Sequence, residues 1–202
     1  TSPTQVYNNK NVGTGKTMTA SGLVINDGNS GNNYSVSYVP NATGVITAKA
    51  INVTAVSDSK IYDDNTSSDE IPIIETTAIQ TGDFVSTQPH QVYDTKFVGT
   101  GKTMTASGLV LNDGNNSNNY SIHYLTNTTG EIIPGPAHHF SITGPDEVVA
   151  GSASSNFTIQ VYDQYENPTT VTGATSFALT TSSTGTAIAF NPNPVTMANG
   201  NG

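Results

Sequence analysis

The stretch of sequence that decides the fold occurs twice in this chain. Residues 5–46 read QVYNNKNVGTGKTMTASGLVINDGNSGNNYSVSYVPNATGVI, and residues 91–132 read QVYDTKFVGTGKTMTASGLVLNDGNNSNNYSIHYLTNTTGEI. The copies align without a gap at an offset of 86 residues, and 30 of 42 positions are identical. A fixed period indicates an array of similar units. Because this period is longer than a solenoid repeat of about 20–50 residues and close to an immunoglobulin-type module of about 100, we expect each period to be one small domain.

A proline-rich break divides the chain after the second copy. The segment Pro134-Gly135-Pro136 marks a turn or linker. We therefore expect three units: residues 1–48, the C-terminal part of a first repeat; residues 49–133, one complete repeat; and residues 134–202, a different domain that is truncated at its C-terminus. The Asn199-Gly200 step predicts a hairpin turn whose second strand is cut off.

The composition argues against several function classes. The chain has 202 residues, a net charge of −9, six lysines and no arginine, so it lacks the basic stripe that neutralises phosphates, and we expect no nucleic acid partner. No stretch approaches the ~20 apolar residues of a membrane helix, so we expect no membrane insertion of this segment. Cysteine is absent, which excludes disulfides and thiol chemistry but not export.

Short alternating segments predict an all-β fold. Residues 102–107 alternate with a period of two, which places Met104 and Ala106 on one face of a strand. The other predicted strands are residues 109–111, 120–125, 157–162 and 176–180. The first two of these flank a polar loop with an Asp-Gly step, which predicts a hairpin with a long loop.

The segment from Ser67 to Gln80 is ambiguous. Its sequence, SSDEIPIIETTAIQ, fits either a short helix or a loop followed by a strand, and Pro72 argues against a long helix. The predicted fold is all-β, with tandem small β-sandwich modules of immunoglobulin-like type in a row. A β-grasp-like middle module is the alternative if this segment is helical.

One glycine-rich motif is similar to the end of a nucleotide-binding P-loop. It is Gly13-Thr14-Gly15-Lys16-Thr17, and it recurs at residues 99–103. The first glycine of a P-loop would stand at the positions of Lys10 and Lys96, and a helix would follow. A β pattern follows instead, so we interpret the motif as a turn that leads into a strand.

Acidic residues and histidines are the candidates for metal binding. Carboxylates on loops can bind Ca²⁺, but no loop has the spacing of an EF-hand. We interpret the acidic clusters as solvated loops, with structural calcium between or within modules as the alternative. His138 and His139 would point to opposite faces of a strand, so we do not expect them to share a metal. We predict no metal ligand, cofactor site or catalytic residue. The clustered acidic residues are Asp58, Asp63, Asp64, Asp69, Glu70, Asp163 and Glu166.

Lysine and tyrosine offer two further interpretations. A buried lysine beside Asn or Asp can form an internal isopeptide crosslink, and Lys49 and Lys60 lie near the start of the complete repeat. We favour the alternative of solvated lysines on strand edges. Tyr34 and Tyr38, like their equivalents in the second copy, would stack on sugar rings if exposed. Their spacing is also the pattern of a buried strand face, and we favour core packing.

Six motifs follow one another in the complete repeat: Lys60-Ile61-Tyr62-Asp63-Asp64-Asn65-Thr66, Thr81-Gly82-Asp83-Phe84-Val85, residues 96–102, Ser107-Gly108-Leu109, Asn119-Tyr120 and Gly130-Glu131-Ile132. In order and spacing they resemble the YDG repeat, which occurs in tandem in very long bacterial haemagglutinin-like adhesins. The partial copy at the N-terminus matches as well. One position departs, because Asp64 stands where the Tyr-Asp-Gly signature has its glycine.

Four stretches characterise the last segment: residues 140–145, Ala150-Gly151, residues 157–161 and residues 163–168. With these stretches the segment resembles a bacterial immunoglobulin-like domain. Glu166 stands where that family often has a glycine.

The two resemblances imply a non-catalytic role. We expect a structural stalk or spacer segment of a giant bacterial cell-surface adhesin, extracellular or secreted, used in attachment or gliding. Its partners would be neighbouring modules of the same chain, with surface glycans or proteins bound through other domains. The Asn-rich, arginine-free composition is similar to that of surface adhesins of Bacteroidota. The alternatives are a glycan- or protein-binding module and an accessory region of a secreted enzyme.

Overall fold

Strands account for nearly all regular structure in a computed structural model of this chain. The structure describes residues 1–147, 149, 152, 156–178 and 195–198. These residues contain seventeen β-strands and one turn of 3-10 helix, Thr76–Ala78. The prediction of an all-β fold is therefore confirmed, whereas the number of modules and their immunoglobulin-like nature stay predictions.

The strands are short, as is usual in small β domains. In chain order they are β1 Thr4–Tyr7, β2 Gly13–Ser21, β3 Asn41–Ile46, β4 Lys49–Thr54, β5 Ser59–Ile61, β6 Ile73–Ile74, β7 Phe84–Thr87, β8 His90–Tyr93, β9 Gly99–Ser107, β10 Val110–Asn112, β11 Tyr120–Leu125, β12 Asn127–Ile133, β13 His139–Thr143, β14 Thr158–Tyr162, β15 Pro168–Thr169, β16 Ala174–Phe177 and β17 Val195–Ala198. The sheets of the described residues have the orders β1-β2-β3, β10-β7, β11-β4-β6, β5-β12-β9-β8, β13-β14-β15 and β16-β17.

The chain divides into two compact units. The first consists of Thr1–Ser57, Ser68–Val92 and Thr103–Asn127, and the second of Asp58–Ser67, Tyr93–Lys102 and Thr128–Gly202.

The core of the first unit is built around β4. This strand pairs in parallel with β11, from Tyr120↔Lys49 to Leu125↔Thr54, and antiparallel with β6. Its alternating sequence places Ile51 and Val53 on one face, and both are fully buried. Met104 and Ala106 of β9 are buried too, at 0% and 2% exposed, which confirms the face predicted for that strand.

The sheet β1-β2-β3 of the first unit contains the glycine-rich motif. β1 pairs with β2 from Thr4↔Ser21 to Tyr7↔Met18, and β2 pairs with β3 with shifts in register after Gly13 and after Lys16. Gly15 lies within the first of these shifts and has φ 64°, a left-handed conformation that glycine adopts without strain. The motif is thus a bulged strand rather than a turn before one, and its second copy begins β9.

The second unit has one parallel and one antiparallel pairing of note. β12 pairs in parallel with β5, from Glu131↔Ser59 to Ile133↔Ile61, and Ile132 on β12 is 1% exposed. β14 lies between β13 and β15, antiparallel to both. Ile159 and Val161 of β14 and nearby Val171 form a small buried cluster.

The predicted hairpin of residues 109–111 and 120–125 is wrong. β10 pairs antiparallel with β7, and β11 pairs in parallel with β4, so the two strands belong to different sheets. In the loop between them, the carboxylate of Asp113 accepts hydrogen bonds from the backbone amides of Asn115, Ser117 and Asn119. Because the loop is stabilised locally, the strands do not need to pair with each other.

The ambiguous segment forms a loop with a minimal strand. Residues 67–80 contain an isolated β-bridge at Ser67, the two-residue strand β6 and the 3-10 turn. A helix there was the condition for the β-grasp-like alternative, and this condition is not met.

Part of the last segment was predicted but lies outside the described residues. β14 and β16 confirm two of the predicted strands. Leu179 and Thr180, at the end of the second, and the predicted turn at Asn199-Gly200 are not among the described residues.

Candidate functional site

The polar loop of residues 113–119 is organised by one buried carboxylate. Asp113 is 1% exposed, and its side chain accepts amide hydrogen bonds from Asn115 at 2.7 Å, Ser117 at 2.9 Å and Asn119 at 3.0 Å. Burial opposes ionisation, but these amides outweigh it and hold the pKa of Asp113 below its usual value. The loop therefore has a fixed shape that presents the side chain of Asn119.

Asn119 contacts the first copy of the repeat. Its Oδ1 accepts a hydrogen bond from the amide of Val12 at 2.9 Å, and its Nδ2 donates to Asn11 Oδ1 at 3.2 Å. These bonds join residues that are more than 100 positions apart in the chain. The loop of the second copy thus holds the segment between β1 and β2.

An ion pair reinforces this contact. Lys10 Nζ lies 2.8 Å from Asp83 Oδ1, and the hydroxyl of Tyr120 donates to the other oxygen of Asp83 at 2.8 Å. The hydroxyl of Tyr120 also accepts the amide of Gln80 at 2.9 Å. Only 7% of the Asp83 side chain is exposed, against 65% for Lys10. The hydrogen bonds from Lys10 and then Tyr120 hold the pKa of Asp83 below its usual value.

We call Lys10, Asn11, Val12, Asp83 and Asn119 together the repeat contact. A cavity of about 350 Å³ lies beside it, with Lys49 and Tyr120 also in its lining. The polar groups of the contact bind one another, as the distances above show. The arrangement is therefore suited to fixing one segment of chain against another.

The Tyr-Asp-Asp sequence at residues 62–64 forms a tight turn after β5. Asp64 has φ 65°, in the left-handed region that a residue with a Cβ enters only at a cost. Its carboxylate accepts hydrogen bonds from Tyr62 and from Lys96. The Lys96 hydrogen bond is the main reason that the pKa of Asp64 is lowered.

This turn carries the family signature. Residues 47–129 match the model of the YDG domain. A YDG domain is therefore present at residues 47–129. Comparison with curated proteins and with solved structures found no match to the chain.

The backbone conformation of Asp64 bears on its departure from the Tyr-Asp-Gly sequence. Asp64 has φ 65°, a conformation that glycine would adopt without a steric penalty, and its carboxylate contacts Tyr62 and Lys96. Glu166 in the last segment is a parallel case, since it has φ 66° where the resembled family often has glycine. Asp64 and Glu166 therefore adopt a positive φ angle at some conformational cost.

Lys60 is held within the YDG domain. Its Nζ lies 2.7 Å from Asp63 Oδ1 and 2.9 Å from Asn65 Oδ1, and it sits 5.4 Å from the ring centroid of Tyr93. Its side chain is 16% exposed. The expectation of a solvated lysine is therefore wrong for Lys60. The hydrogen bond from Lys60 lowers the pKa of the Asp63 carboxyl group.

The segment that follows the YDG domain begins with a fixed linker. The amide of Gly135 donates to Asp163 Oδ2 at 2.8 Å, and the hydroxyl of Thr169 donates to the carbonyl of Gly135 at 2.9 Å. Asp163 is fully buried, and its other oxygen accepts the amides of Tyr165 and Asn167. The ring of Tyr62 packs edge-on against Tyr165 at 5.1 Å between centroids.

The histidine pair does not behave as predicted. His138 Nδ1 and His139 Nδ1 lie 3.3 Å apart, so the two rings do not point to opposite faces. The reason is that β13 begins at His139, which leaves His138 outside the strand. His139 also lies 3.3 Å from Glu166. Among the described residues, no group of three or more His, Cys, Asp or Glu side chains is placed to hold a metal ion.

The four tyrosines considered for core packing differ in exposure. Tyr120 is 7% exposed, which confirms core packing for that residue, whereas Tyr34 is 60% exposed and Tyr38 and Tyr124 are each 38% exposed. The prediction of core packing is thus wrong for Tyr34, Tyr38 and Tyr124. Within the part of the chain that the structure describes, no helix is long and apolar enough to cross a membrane.

The repeat contact was not predicted as a site from the sequence. Its members were visible only as recurring polar residues: Lys10 matches Lys96, Asn33 matches Asn119, and Asp83 stands in a YDG motif. A lysine and a carboxylate 73 positions apart give no local signal of pairing.

Proposed function

We propose that this chain is a non-catalytic spacer segment of a long extracellular bacterial adhesin, in which YDG-type repeats follow one another. The observation that carries this role is the repeat contact, through which one copy of the repeat binds the next. The ion pair of Lys10 with Asp83 and the hydrogen bonds of Asn119 fix the first copy against the YDG domain. Its partners are the neighbouring modules, and glycans or host proteins are bound through other parts of the adhesin.

The linker after the YDG domain supports the same role. A spacer keeps its two ends apart only if the junctions between its modules resist bending. A linker whose backbone groups have no hydrogen-bond partners would act as a hinge. Gly135 instead has both its amide and its carbonyl hydrogen-bonded, to Asp163 and Thr169. The YDG domain is thus preceded by the repeat contact and followed by a linker whose Gly135 is hydrogen-bonded within the last segment.

The test is to lengthen the array by one period. A variant with residues 47–132 duplicated in tandem adds one 86-residue repeat. A spacer gains a constant length with each copy, about 30 Å for a compact domain of this size. We expect the maximum dimension from small-angle X-ray scattering to rise by at least that increment for one added copy and again for a second. An unchanged maximum dimension would show that the copies fold back on each other and would overturn the spacer role.

A further inference from the structure

The cavity beside the repeat contact is lined by a lysine whose charge no neighbouring side chain neutralises. The cavity has a volume of about 350 Å³ and lies within the first unit. Of the six lysines in the chain, Lys49 alone has no side-chain acceptor in the part of the chain that the structure describes. The other lysines and their acceptors are Lys10 with Asp83, Lys16 with Asn9, Lys60 with Asp63, Lys96 with Asp64 and Lys102 with Thr95.

Lys49 is the first residue of β4, and the backbone around it is fixed. Its amide donates a hydrogen bond to the carbonyl of Asn119 at 2.9 Å, and it pairs with Tyr120 of β11. Because alternate residues of a strand share a face, Lys49 lies on the same face of β4 as the buried Ile51 and Val53. The face that carries the core therefore begins with a charged side chain that lines the cavity.

The charges in the lining favour an anionic ligand. The lining contains the cations of Lys10 and Lys49 and the carboxylate of Asp83. Lys10 Nζ lies 2.8 Å from Asp83 Oδ1 and offsets its charge, so the charge of Lys49 is in excess. The carboxylate of Asp113 is outside the lining and is bound by three loop amides. The cavity is thus locally positive in a chain whose net charge is −9.

Neutral polar side chains also line the cavity. They are the hydroxyls of Thr47 and Thr81 and the amide of Gln80, and among the described residues none of these side chains has a hydrogen-bond partner. Hydroxyl and amide groups both donate and accept hydrogen bonds, so they suit the hydroxyl groups of a ligand. Val12 and Ile46 add apolar surface on which the carbon atoms of a ligand can pack.

We propose that this cavity binds an acidic sugar, a ligand that carries one carboxylate next to several hydroxyls. The carboxylate pairs with Lys49 Nζ, and the hydroxyls bind Thr47, Thr81 and Gln80. The volume lies at the lower end of the usual range for ligand pockets, about 300–1,000 Å³, which is suited to a single sugar ring. A spacer needs no ligand, so this site gives the segment an additional function.

The test is a titration of the full chain with D-glucuronate, followed by backbone amide NMR. We expect saturable shifts at Thr47, Lys49 and Thr81, and an affinity that falls as salt is added, because salt screens the charge of an exposed lysine. D-Glucose has the same ring without the carboxylate, and we expect it to cause no saturable shift. Equal binding of glucose and glucuronate would overturn the proposal, as would the absence of any saturable shift with glucuronate.

A matched pair of variants tests the role of Lys49. Lys49→Met removes the charge and keeps an apolar stem, and we expect the affinity for glucuronate to fall by about 10-fold or more, as for the loss of a hydrogen bond to a charged group. Lys16→Met removes a lysine outside the lining and should leave the affinity unchanged. An unchanged affinity in Lys49→Met would overturn the proposal.

Two further measurements separate the remaining outcomes. Thr81→Val removes a hydroxyl without changing the charge, and we expect it to weaken glucuronate binding while acetate binding stays the same. Acetate that binds as tightly as glucuronate would assign the cavity to carboxylates in general and overturn the sugar. The scattering test of the spacer role does not involve this cavity, so either proposal can fail without the other.

Discussion

At the scale of single residues, the left-handed backbone of Asp64 makes a clear prediction. Asp64→Gly and Asp64→Ala both remove the contacts with Tyr62 and Lys96, but only glycine takes φ 65° without strain. We expect the glycine variant to be more stable than the alanine variant by about 1 kcal/mol in urea unfolding. The order should reverse at the exposed strand residue Thr105, where glycine costs about 0.5–1 kcal/mol relative to alanine. If Asp64→Ala were more stable than Asp64→Gly, the backbone at position 64 would not be strained.

The buried carboxylate of Asp113 gives a second prediction at this scale. Asp113→Ala removes the acceptor of three loop amides, and leaving buried amides without a partner costs about 1–3 kcal/mol each before the loop relaxes. We expect a loss of about 2–3 kcal/mol in the free energy of unfolding and fast exchange of the Asn119 amide. Asp27→Ala is the matched control, and its loss should be smaller because that loop is more exposed. Equal losses in the free energy of unfolding for the two variants would mean that the burial of Asp113 contributes nothing to stability.

The ion pair of the repeat contact predicts a pH dependence. The pKa of Asp83 is lowered in the folded chain, so its stabilisation is present above the usual value of 3.8 and is lost as pH falls below that value through the folded pKa. In Lys10→Met we expect the pKa of Asp83 to rise toward the usual value, as measured by NMR titration of its carboxyl carbon. Lys16→Met, which removes a lysine bound to Asn9 instead, should leave it unchanged. If the pKa of Asp83 were unchanged in Lys10→Met, the ion pair between Lys10 and Asp83 would be excluded.

At the scale of elements, β4 is the strand on which the first unit depends. Ile51→Ala leaves a cavity beside β11, and such truncations in a core cost about 2–5 kcal/mol. Ile73→Ala on β6 is the matched control: Ile73 is 64% exposed, so we expect a change within about 0.5 kcal/mol. Urea unfolding measures both. A loss at Ile51 no larger than that at Ile73 would mean that β4 does not carry the core.

The wrong hairpin shows where sequence patterns stop at this scale. Alternation correctly located β9 and β11, because a half-buried strand needs an apolar residue at every second position, and the apolar run of residues 109–111 located β10. It does not encode the partner of a strand. The Asp-Gly step suggested adjacent pairing, but Asp113 uses its carboxylate to close a wider loop.

At the scale of the whole molecule, the acidic clusters predict no response to chelation. Asp63 and Asp64 are paired with lysines, and Asp163 accepts backbone amides, so these carboxylates already have partners. We expect the small-angle scattering profile of the full chain to be the same with Ca²⁺ and with EDTA. A profile that changes on chelation would assign calcium to these clusters and give the acidic residues a function.

The sequence by itself determined the all-β class, the period of 86 residues, the faces of the strands and the YDG domain. These are local or repeated properties, since alternation and self-similarity can be recognised from the order of the residues alone. The tertiary structure alone decided that β11 pairs with β4, that Lys10 binds Asp83, and that Tyr34 is exposed while Tyr120 is buried. Nearly the same residues surround both tyrosines in the sequence. Tyr120 begins a strand that pairs with β4, whereas Tyr34 belongs to no strand, and such long-range pairings are fixed by packing rather than by local sequence.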